Sequence, residues 1–421
     1  MIFGFNGNAR MKTLAGALVL GLAGMASAAQ AGTTLVGGGA TLPAIGYGGD
    51  ASHRQIAPVS GSLLAQYSAQ AGNPQTSYCQ TGSGAGKNIL AGVSGTSVQN
   101  TCPDGSATPT GFGAGAVGRS DLTQPNFAGA DSPLATTDYS NYVANRSSSF
   151  PVEFPAVAGA IAIAFNKTGV DSLSLTDSQV CQIFSGQITD WSQISSASGP
   201  ISVVFRSDGS GTTFGLSNHL SAVCAGTASQ HFVTDQAFTN VVTKFFPGGV
   251  PTGWNGQNGN QNVADTVTNT DGTIAYVEAA NVQFNTLALI NGKDPLADFG
   301  NAPLSISSAS IKNNFAINGA DPTTGRPLTT AISGAPSTQC IALVDPSAYA
   351  TPSSGYPIVA VSYLLANSNH NGSDLAAVKN LMWAPYNSAV TASVTTIGPG
   401  TGLSFLSTSF TEAGVKGCLV N

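Results

Sequence analysis

The segment ISVVFRSDGSGTTFGLSNHLSAVC, residues 201–224, carries three local signals that together decide the fold. ISVVF is an apolar, β-branched run, which predicts a buried strand. The residues that follow, SDGSG, are typical of a turn. The remainder has apolar residues at helical spacing, which predicts a helix whose first turn contains Ser210, Gly211 and Thr212. The segment is therefore a strand–turn–helix unit, the building block of α/β folds.

Further segments of the chain predict the same alternation of strands and helices. Buried strands are predicted at FPAVAGAIAIAFN (154–166), GTIAYVEAA (272–280) and YPIVAVSYLLA (356–366). LTDSQVCQIFSGQITDW, residues 175–191, predicts a helix with an N-cap at Thr176 or Asp177. The chain has 421 residues, too many for one ordinary core, so two α/β domains with mostly parallel sheets are expected.

The N-terminal region has the layout of a secretory signal peptide. Met11 to Ala31 has a lysine near its start, a short apolar run and small residues at its end, so cleavage is expected after Ala31. Residues 1–10 are interpreted as an upstream extension of this leader. No later segment offers about eighteen unbroken apolar residues, so we expect a soluble mature chain without a transmembrane segment.

Six cysteines, an even number, follow the predicted leader. In an oxidising compartment they favour disulfides over a metal site. None of them lies in a C-x-x-C pair, and only four histidines are available as further metal ligands. The simplest pairing is sequential, although six cysteines allow fifteen connectivities. Sequential pairing gives Cys79–Cys102, Cys181–Cys224 and Cys340–Cys418.

The composition argues against several classes of partner. Charged residues make up 8% of the chain, against about a quarter in ordinary proteins, and the net charge is −6. A nucleic-acid or anionic-membrane partner requires a basic face, and the sequence shows none. Hydrophobic residues make up 42% of the chain, which indicates a folded protein rather than a disordered one.

Gly/Ser-rich turns that follow strand-like runs indicate a site for an anion. They lie at residues 37–42, 82–86, 118–121 and 208–212. Helix N-termini hold anions through unpaired N–H groups and the helix dipole, and Arg206 adds a planar, charged donor with Asp208 beside it. The alternative is a surface strand–turn–helix whose ion pair stabilises the fold by less than about 1 kcal/mol.

Two other motifs contain residues that could contact an anion. TGSGAGKN, residues 81–88, lacks the spacing and the final Ser or Thr of a P-loop, so a nucleotide site is not expected, while an anion-holding turn at Ser83 remains open. In GRSDLTQP, Asp121 would repel an anion unless that anion carries a proton. Phosphate carries one at neutral pH and sulfate does not. The alternative for Asp121 is a helix cap or a loop residue.

The sequence shows no catalytic constellation. Its four histidines lie in no motif, and neither Ser83 nor Ser210 sits in G-x-S-x-G. We therefore expect no catalytic residues, no metal and no cofactor.

Eight motifs, taken together, resemble the phosphate-binding proteins of the bacterial phosphate ABC transporter. They are GGGATLP, GSGAG, RSD, FPAVAGAIAIAFN, CQIFSGQITDWSQI, RSDGSGTT, GTIAYVEAA and YPIVAVSYLLA. The opening GGGATLP and the placement of Cys181 and Cys224 are more similar to the secreted relatives of these proteins, the DING proteins. The similarity spans nearly the whole chain after the leader.

The resemblance implies a two-lobed, type II periplasmic-binding-protein-like fold with a hinged cleft between α/β lobes. Lobe I would comprise residues 32–157 and 341–421, and lobe II residues 158–340. The implied phosphate-binding residues are Thr41, Leu42, Ser83, Asp121, Arg206, Asp208, Ser210, Gly211 and Thr212. The Leu42 contribution would be its backbone N–H.

The implied function is that of an exported, monomeric phosphate-binding protein, periplasmic or secreted, that serves an ABC permease or scavenges phosphate. Two alternatives stay open. One is a secreted phosphomonoesterase of the DING type, in which the same site holds the phosphoryl group. The other is a surface or matrix protein on the same scaffold, which suits the weakly charged, Gly/Asn/Ser-rich composition.

Overall fold

The computed structural model describes residues 33–49, 55–96, 111–226, 230–282 and 285–421. The predicted signal peptide, residues 1–31, and Cys102 lie outside these ranges.

The strands are β1 Leu35–Gly39, β2 Gln55–Ile56, β3 Thr76–Gln80, β4 Phe127–Ala130, β5 Pro151–Asn166, β6 Ser174–Leu175, β7 Ser202–Arg206, β8 Asn255–Gln257, β9 Thr273–Glu278, β10 Thr286–Leu287, β11 Leu289–Ile290, β12 Leu304–Ser305, β13 Ile311–Asn313, β14 Phe315–Ala320, β15 Pro327–Ala331, β16 Ala342–Val344, β17 Val359–Asn367 and β18 Leu403–Ser407. The α-helices are α1 Ala44–Gly48, α2 Leu63–Ser68, α3 Ser83–Ala91, α4 Thr136–Asn145, α5 Asp177–Phe184, α6 Gly211–Val223, α7 Phe238–Val241, α8 Asn260–Asn269, α9 Leu375–Trp383, α10 Ser388–Thr391 and α11 Glu412–Lys416.

The main sheet contains two parallel sections joined by two long antiparallel strands. Its strand order is β2-β3-β1-β4-β17-β5-β9-β7-β8. Strand β1 pairs in parallel with β3 and β4, and β7 pairs in parallel with β8 and β9. Between the sections, β17 and β5 run antiparallel to each other and to their outer neighbours. The α/β class expected from the sequence is confirmed.

The long strand β5 is buried along nearly its whole length, as its apolar sequence predicts. Fifteen of its 16 residues are buried. Residues 151–160 pair with β17, and residues 161–166 pair with β9. The central strands are therefore covered on both faces, which explains why they read as continuous apolar runs rather than alternating ones.

Local sequence signals place the helix starts well. The N-cap of α5 is Thr176, whose hydroxyl accepts the Gln179 N–H while the Gln179 side chain accepts the Thr176 N–H. This capping box satisfies two N–H groups that the helix leaves unpaired. Among the described residues, no helix is both long and apolar enough to cross a bilayer.

Two of the three predicted disulfides are present. Cys181–Cys224 joins α5 to the end of α6, and Cys340–Cys418 joins the chain before β16 to the C-terminal segment. The third predicted pair involves Cys102, which lies outside the described residues.

Candidate functional site

The strand–turn–helix unit has the geometry that its sequence predicts. Strand β7 ends at Arg206, and α6 begins at Gly211. Ser210 is the N-cap, and its hydroxyl accepts the Thr213 N–H at 3.2 Å. Ser210, Thr212 and Thr213 are each at most 1% exposed, so this helix N-terminus is buried. A buried helix N-terminus favours an anionic or hydrogen-bond-accepting partner.

A second helix N-terminus meets the first at the carboxyl group of Asp131. Ser83 is the first residue of α3, and its hydroxyl accepts the Asp131 N–H at 2.9 Å. A Cβ built on Gly211 would lie 2.4 Å from the Asp131 Cβ and 2.6 Å from the Ser83 Oγ. Glycine at position 211 is therefore required by this close approach. The N-termini of α3 and α6 converge on one buried aspartate.

Asp131 follows β4 and is 1% exposed. Burial and the nearby Glu278 carboxyl raise its pKa to about 7, although the Ser362 hydroxyl, the Leu42 backbone N–H and Arg206 act in the opposite direction. Its Oδ1 atom is buried and makes no hydrogen bond of normal geometry within the described residues. A buried carboxylate oxygen without a partner is costly, so this atom is a candidate acceptor for a ligand proton.

Arg206 supplies positive charge to the same region and is held by a carboxylate beside it. Its Nε and Nη2 donate to the two Asp208 oxygens at 2.7 and 2.6 Å. Its Nη1 lies 3.5 Å from Glu278 Oε1. Burial alone would lower the pKa of Arg206, but Asp208 and Glu278 outweigh this effect and raise it. Arg206, only 2% exposed, is a fixed, desolvated cation.

Glu278, at the end of β9, joins residues from both parallel sections of the sheet. Its side chain is fully buried. Its Oε1 accepts hydrogen bonds from the Thr41 hydroxyl and, at 2.6 Å, from the Thr212 hydroxyl. Its Oε2 accepts the Asn281 side-chain amide at 2.9 Å. Glu278, which is not one of the predicted residues, therefore accepts hydrogen bonds from two of them, Thr41 and Thr212.

The structure brings eight of the nine predicted residues together around Asp131 and Glu278. They are Thr41, Leu42, Ser83, Arg206, Asp208, Ser210, Gly211 and Thr212.

Asp121 is the exception, because the structure does not bring it to this group. Its side chain is 63% exposed and forms a fork with Arg119, from Nε at 2.9 Å and Nη2 at 3.0 Å. This hydrogen bonding lowers the pKa of Asp121. Arg119 also binds the buried Asp374 at 2.8 Å, so the pair belongs to a different cluster.

A repeated tripeptide explains why the sequence points to Asp121. Arg-Ser-Asp occurs at 119–121 and at 206–208, and both copies form the same local fork from the arginine to the aspartate. The carboxyl group between the helix N-termini instead belongs to Asp131, in AGADSP directly after strand β4. An acidic residue immediately after a buried parallel strand is the signal that would have identified it.

An open cleft of ≈ 640 Å³ lies next to the buried residues. Its lining comes from α3, from residues 93–96 and from the turn at residues 207–209, together with Thr81 and Asn258. At its inner end the Gly84 N–H donates to the Gly209 carbonyl at 3.3 Å, and Ser83 and Ser210 follow directly in the buried site. The cleft therefore lies beside the N-termini of α3 and α6.

A family model and several known proteins match the sequence of this chain. A profile of the PBP superfamily domain matches residues 51–379. Alkaline phosphatase L of Pseudomonas aeruginosa is 30% identical over 349 residues, 80% of this chain and 76% of that protein. For the PAO1 strain the identity is 31%, over 62% of this chain and 61% of that protein, which is less than two thirds. Phosphate-binding protein PstS 2 of Mycobacterium tuberculosis is 35% identical over 189 residues, 41% of this chain and 48% of that protein.

Solved structures resemble the whole described fold. A high affinity periplasmic phosphate-binding protein, PfluDING, bound with phosphate, superposes with a TM-score of 0.60 at 25% identity, covering 89% of this chain and 90% of that one. A phosphate-binding protein from Stenotrophomonas maltophilia superposes with a TM-score of 0.58 at 24% identity, over 91% and 92% of the two chains, a likeness of fold. The chain therefore belongs to the PBP superfamily, and its relatives there include phosphate-binding proteins of the PstS and DING types.

Proposed function

We propose that this protein binds inorganic phosphate at the site formed by Asp131, Arg206 and the N-termini of α3 and α6. The single observation that carries the proposal is the buried Asp131 carboxyl group between two helix N-termini, with Arg206 close by and with Oδ1 making no hydrogen bond of normal geometry within the described residues. Helix N-termini and a guanidinium group attract an oxyanion, while a carboxylate accepts a proton from one. Phosphate satisfies all three groups at once.

The nine residues predicted from the sequence enter this proposal with one replacement. Asp131 takes the role first given to Asp121, and the other eight residues are proposed as phosphate ligands or their direct supports. Thr41, Ser83, Ser210 and Thr212 offer hydroxyl groups, and each is at most 5% exposed. Leu42, Ser83, Gly211 and Thr212 offer backbone N–H groups, and Asp208 holds Arg206 in place.

We further propose that the protein is exported and acts as a monomeric binding component. The leader-like sequence of residues 1–31 supports export to the periplasm or beyond, and an ABC permease is the proposed partner. The lobe boundaries near residues 157 and 340 remain part of the proposal. Strands β5 and β17 join the two parallel sections of the sheet, so bending of these strands would open and close the site.

A phosphomonoesterase is the second candidate because relatives at 30–31% identity are named Alkaline phosphatase L. The hydroxyl groups of the site favour binding instead. Ser83 Oγ is hydrogen-bonded to Asp131, and Ser210 Oγ caps α6. His219 bonds Ala350 and Asp177, so it is not paired with either serine as a base.

Equilibrium dialysis with radiolabelled phosphate, run beside a p-nitrophenyl phosphate hydrolysis assay on one preparation, separates the two candidates. We expect saturable binding at one site without turnover, and we expect Arg206→Ala to abolish the binding. Hydrolysis that Arg206→Ala also abolishes would favour the enzyme, and the absence of any saturable binding would refute the proposed function.

A further inference from the structure

The proposed phosphate site contains more carboxyl groups than an anion site needs. Asp208 neutralises Arg206, which leaves the Asp131 and Glu278 carboxyl groups facing the same buried region. Both side chains are at most 1% exposed. A dianion placed beside them would add like charge where water cannot screen it. Something other than charge attraction must therefore make the second carboxylate compatible with an anion.

The hydrogen bonds that two threonine hydroxyls donate to Glu278 indicate how its carboxylate can accommodate an anion. Each hydroxyl carries one proton, and in this structure Thr41 and Thr212 both donate theirs to Oε1 of Glu278. Arg206 Nη1 also approaches this oxygen, at 3.5 Å. An anion that binds these hydroxyls takes their protons away from Glu278. Oε1 is then a buried carboxylate oxygen stripped of its close donors, a costly arrangement unless the anion itself donates a proton to it.

We propose that Glu278 is a second specificity-determining acceptor, which makes this site select the doubly protonated, monobasic form of phosphate. Asp131 accepts one P–OH proton and Glu278 Oε1 accepts the other. This inference rests on the proposed phosphate function. It goes beyond that function in two ways. It assigns a role to Glu278, which the sequence did not predict, and it specifies the protonation state of the bound phosphate.

The titratable groups described around Glu278 already have other roles. Around it lie Arg206 from β7, Asp131 after β4 and Tyr78 from β3. Arg206 is committed to Asp208 through two short hydrogen bonds. Burial raises the pKa of Tyr78 well above its ordinary value, so it remains a neutral phenol, and its hydroxyl donates to the Ala40 carbonyl.

Proton uptake on binding tests the proposal in the wild-type protein. Calorimetric titration with inorganic phosphate, in buffers of different ionisation enthalpy, gives the number of protons taken up. At alkaline pH, where free phosphate is dibasic and Asp131 is ionised, we expect uptake of close to one proton per phosphate bound. The affinity should then fall by up to about tenfold per pH unit. Binding without proton uptake, at an affinity independent of pH, would overturn the role of Glu278 and leave phosphate binding intact.

Glu278→Gln provides the matched variant because it keeps the shape of the side chain and removes its charge. We expect it to take up less than half a proton at alkaline pH and to bind phosphate at least about tenfold more tightly there than the wild type. Glu412→Gln, at a 56% exposed side chain, should behave as wild type. If Glu278→Gln weakens binding equally at every pH, Glu278 is a structural support and the proposal fails. If the wild-type protein binds no phosphate at any pH, the proposed function fails with it.

Discussion

Gly211 and Asp131 approach so closely that a methyl group at position 211 would lie 2.4 Å from the Asp131 Cβ. The two residues come from different parallel sections of the sheet, Asp131 after β4 and Gly211 at the start of α6. Their contact brings the Asp131 carboxyl group to the N-terminus of α6. The binding site therefore depends on the absence of one side chain.

Gly211→Ala should weaken phosphate binding by about tenfold to a hundredfold, because overpacking a tight contact costs about 1–3 kcal/mol. Neither Asp131 nor Ser83 can move away without losing its hydrogen bond to the other. Gly226→Ala is the control, since nothing lies within 4 Å of its added Cβ. Equal affinities of the two variants in calorimetric titrations would show that this contact does not shape the site.

Asp131→Asn should relax the rejection of sulfate, whereas Asp121→Asn should leave it unchanged. The side-chain amide introduced by Asp131→Asn would offer an N–H group where the carboxylate accepts a proton, so a fully ionised anion is no longer repelled. Asp121 is exposed and bound to Arg119, so its change should not reach the anion. The ratio of phosphate to sulfate affinity, measured for both variants, checks the assignment. If this ratio instead collapses in Asp121→Asn, the proton acceptor is Asp121, as the sequence predicts.

Glu153 should make the protein less stable as the pH rises. Burial raises its pKa to about 8 from an ordinary 4.5, and its Oε2 is buried without a hydrogen bond of normal geometry within the described residues. The folded protein therefore holds a proton that the unfolded chain loses between about pH 4.5 and 8. This stabilisation is complete below pH 4.5 and is lost as the pH rises through 8, by up to about 1.4 kcal/mol per pH unit.

Glu153→Gln should flatten this slope in urea unfolding measured across the same pH range, while phosphate binding remains. The residual slope, of the same sign, would come from Asp131, whose pKa is raised from 3.8 to about 7. Glu412→Gln is the surface control. A slope unchanged by Glu153→Gln would mean that Glu153 is ionised in the folded protein.

Replacing Cys181 and Cys224 together by serine should destabilise the fold by about 4 kcal/mol, because the chain-entropy estimate grows with loop length. The bond closes a sequence separation of 43 residues. Urea unfolding of the variant and the wild type measures the difference. A loss below about 1 kcal/mol would mean that the unfolded chain is already compact in this region.

Much of the fold could be predicted because burial leaves its mark on the sequence. Strand β5 and strand β17 are buried almost throughout, and their sequences are mostly apolar. The capping box at Thr176 marks the start of helix α5 in the sequence. The lobe boundaries could not be derived in this way, because β5 runs continuously through the predicted crossing at Val157.

The site could be predicted in part. RSDGSGTT combines a charged fork with a helix start, and both form locally. Asp131 was missed because the Arg-Ser-Asp tripeptide at 119–121 carries the same local signal without reaching the site. Glu278 was not predicted because its proposed role depends on Thr41 and Thr212, which are 237 and 66 residues away along the chain. Contacts of that range leave no local pattern.

The most direct test of phosphate recognition is calorimetric titration of the wild-type protein with phosphate and with sulfate, at neutral pH and equal ionic strength. We expect one phosphate bound per chain and an affinity for sulfate lower by about 10³ or more, because an unpaired buried charge costs several kcal/mol and each 1.4 kcal/mol is tenfold. Comparable affinities for the two anions, or no binding of phosphate, would contradict a site in which Asp131 accepts a proton from its ligand.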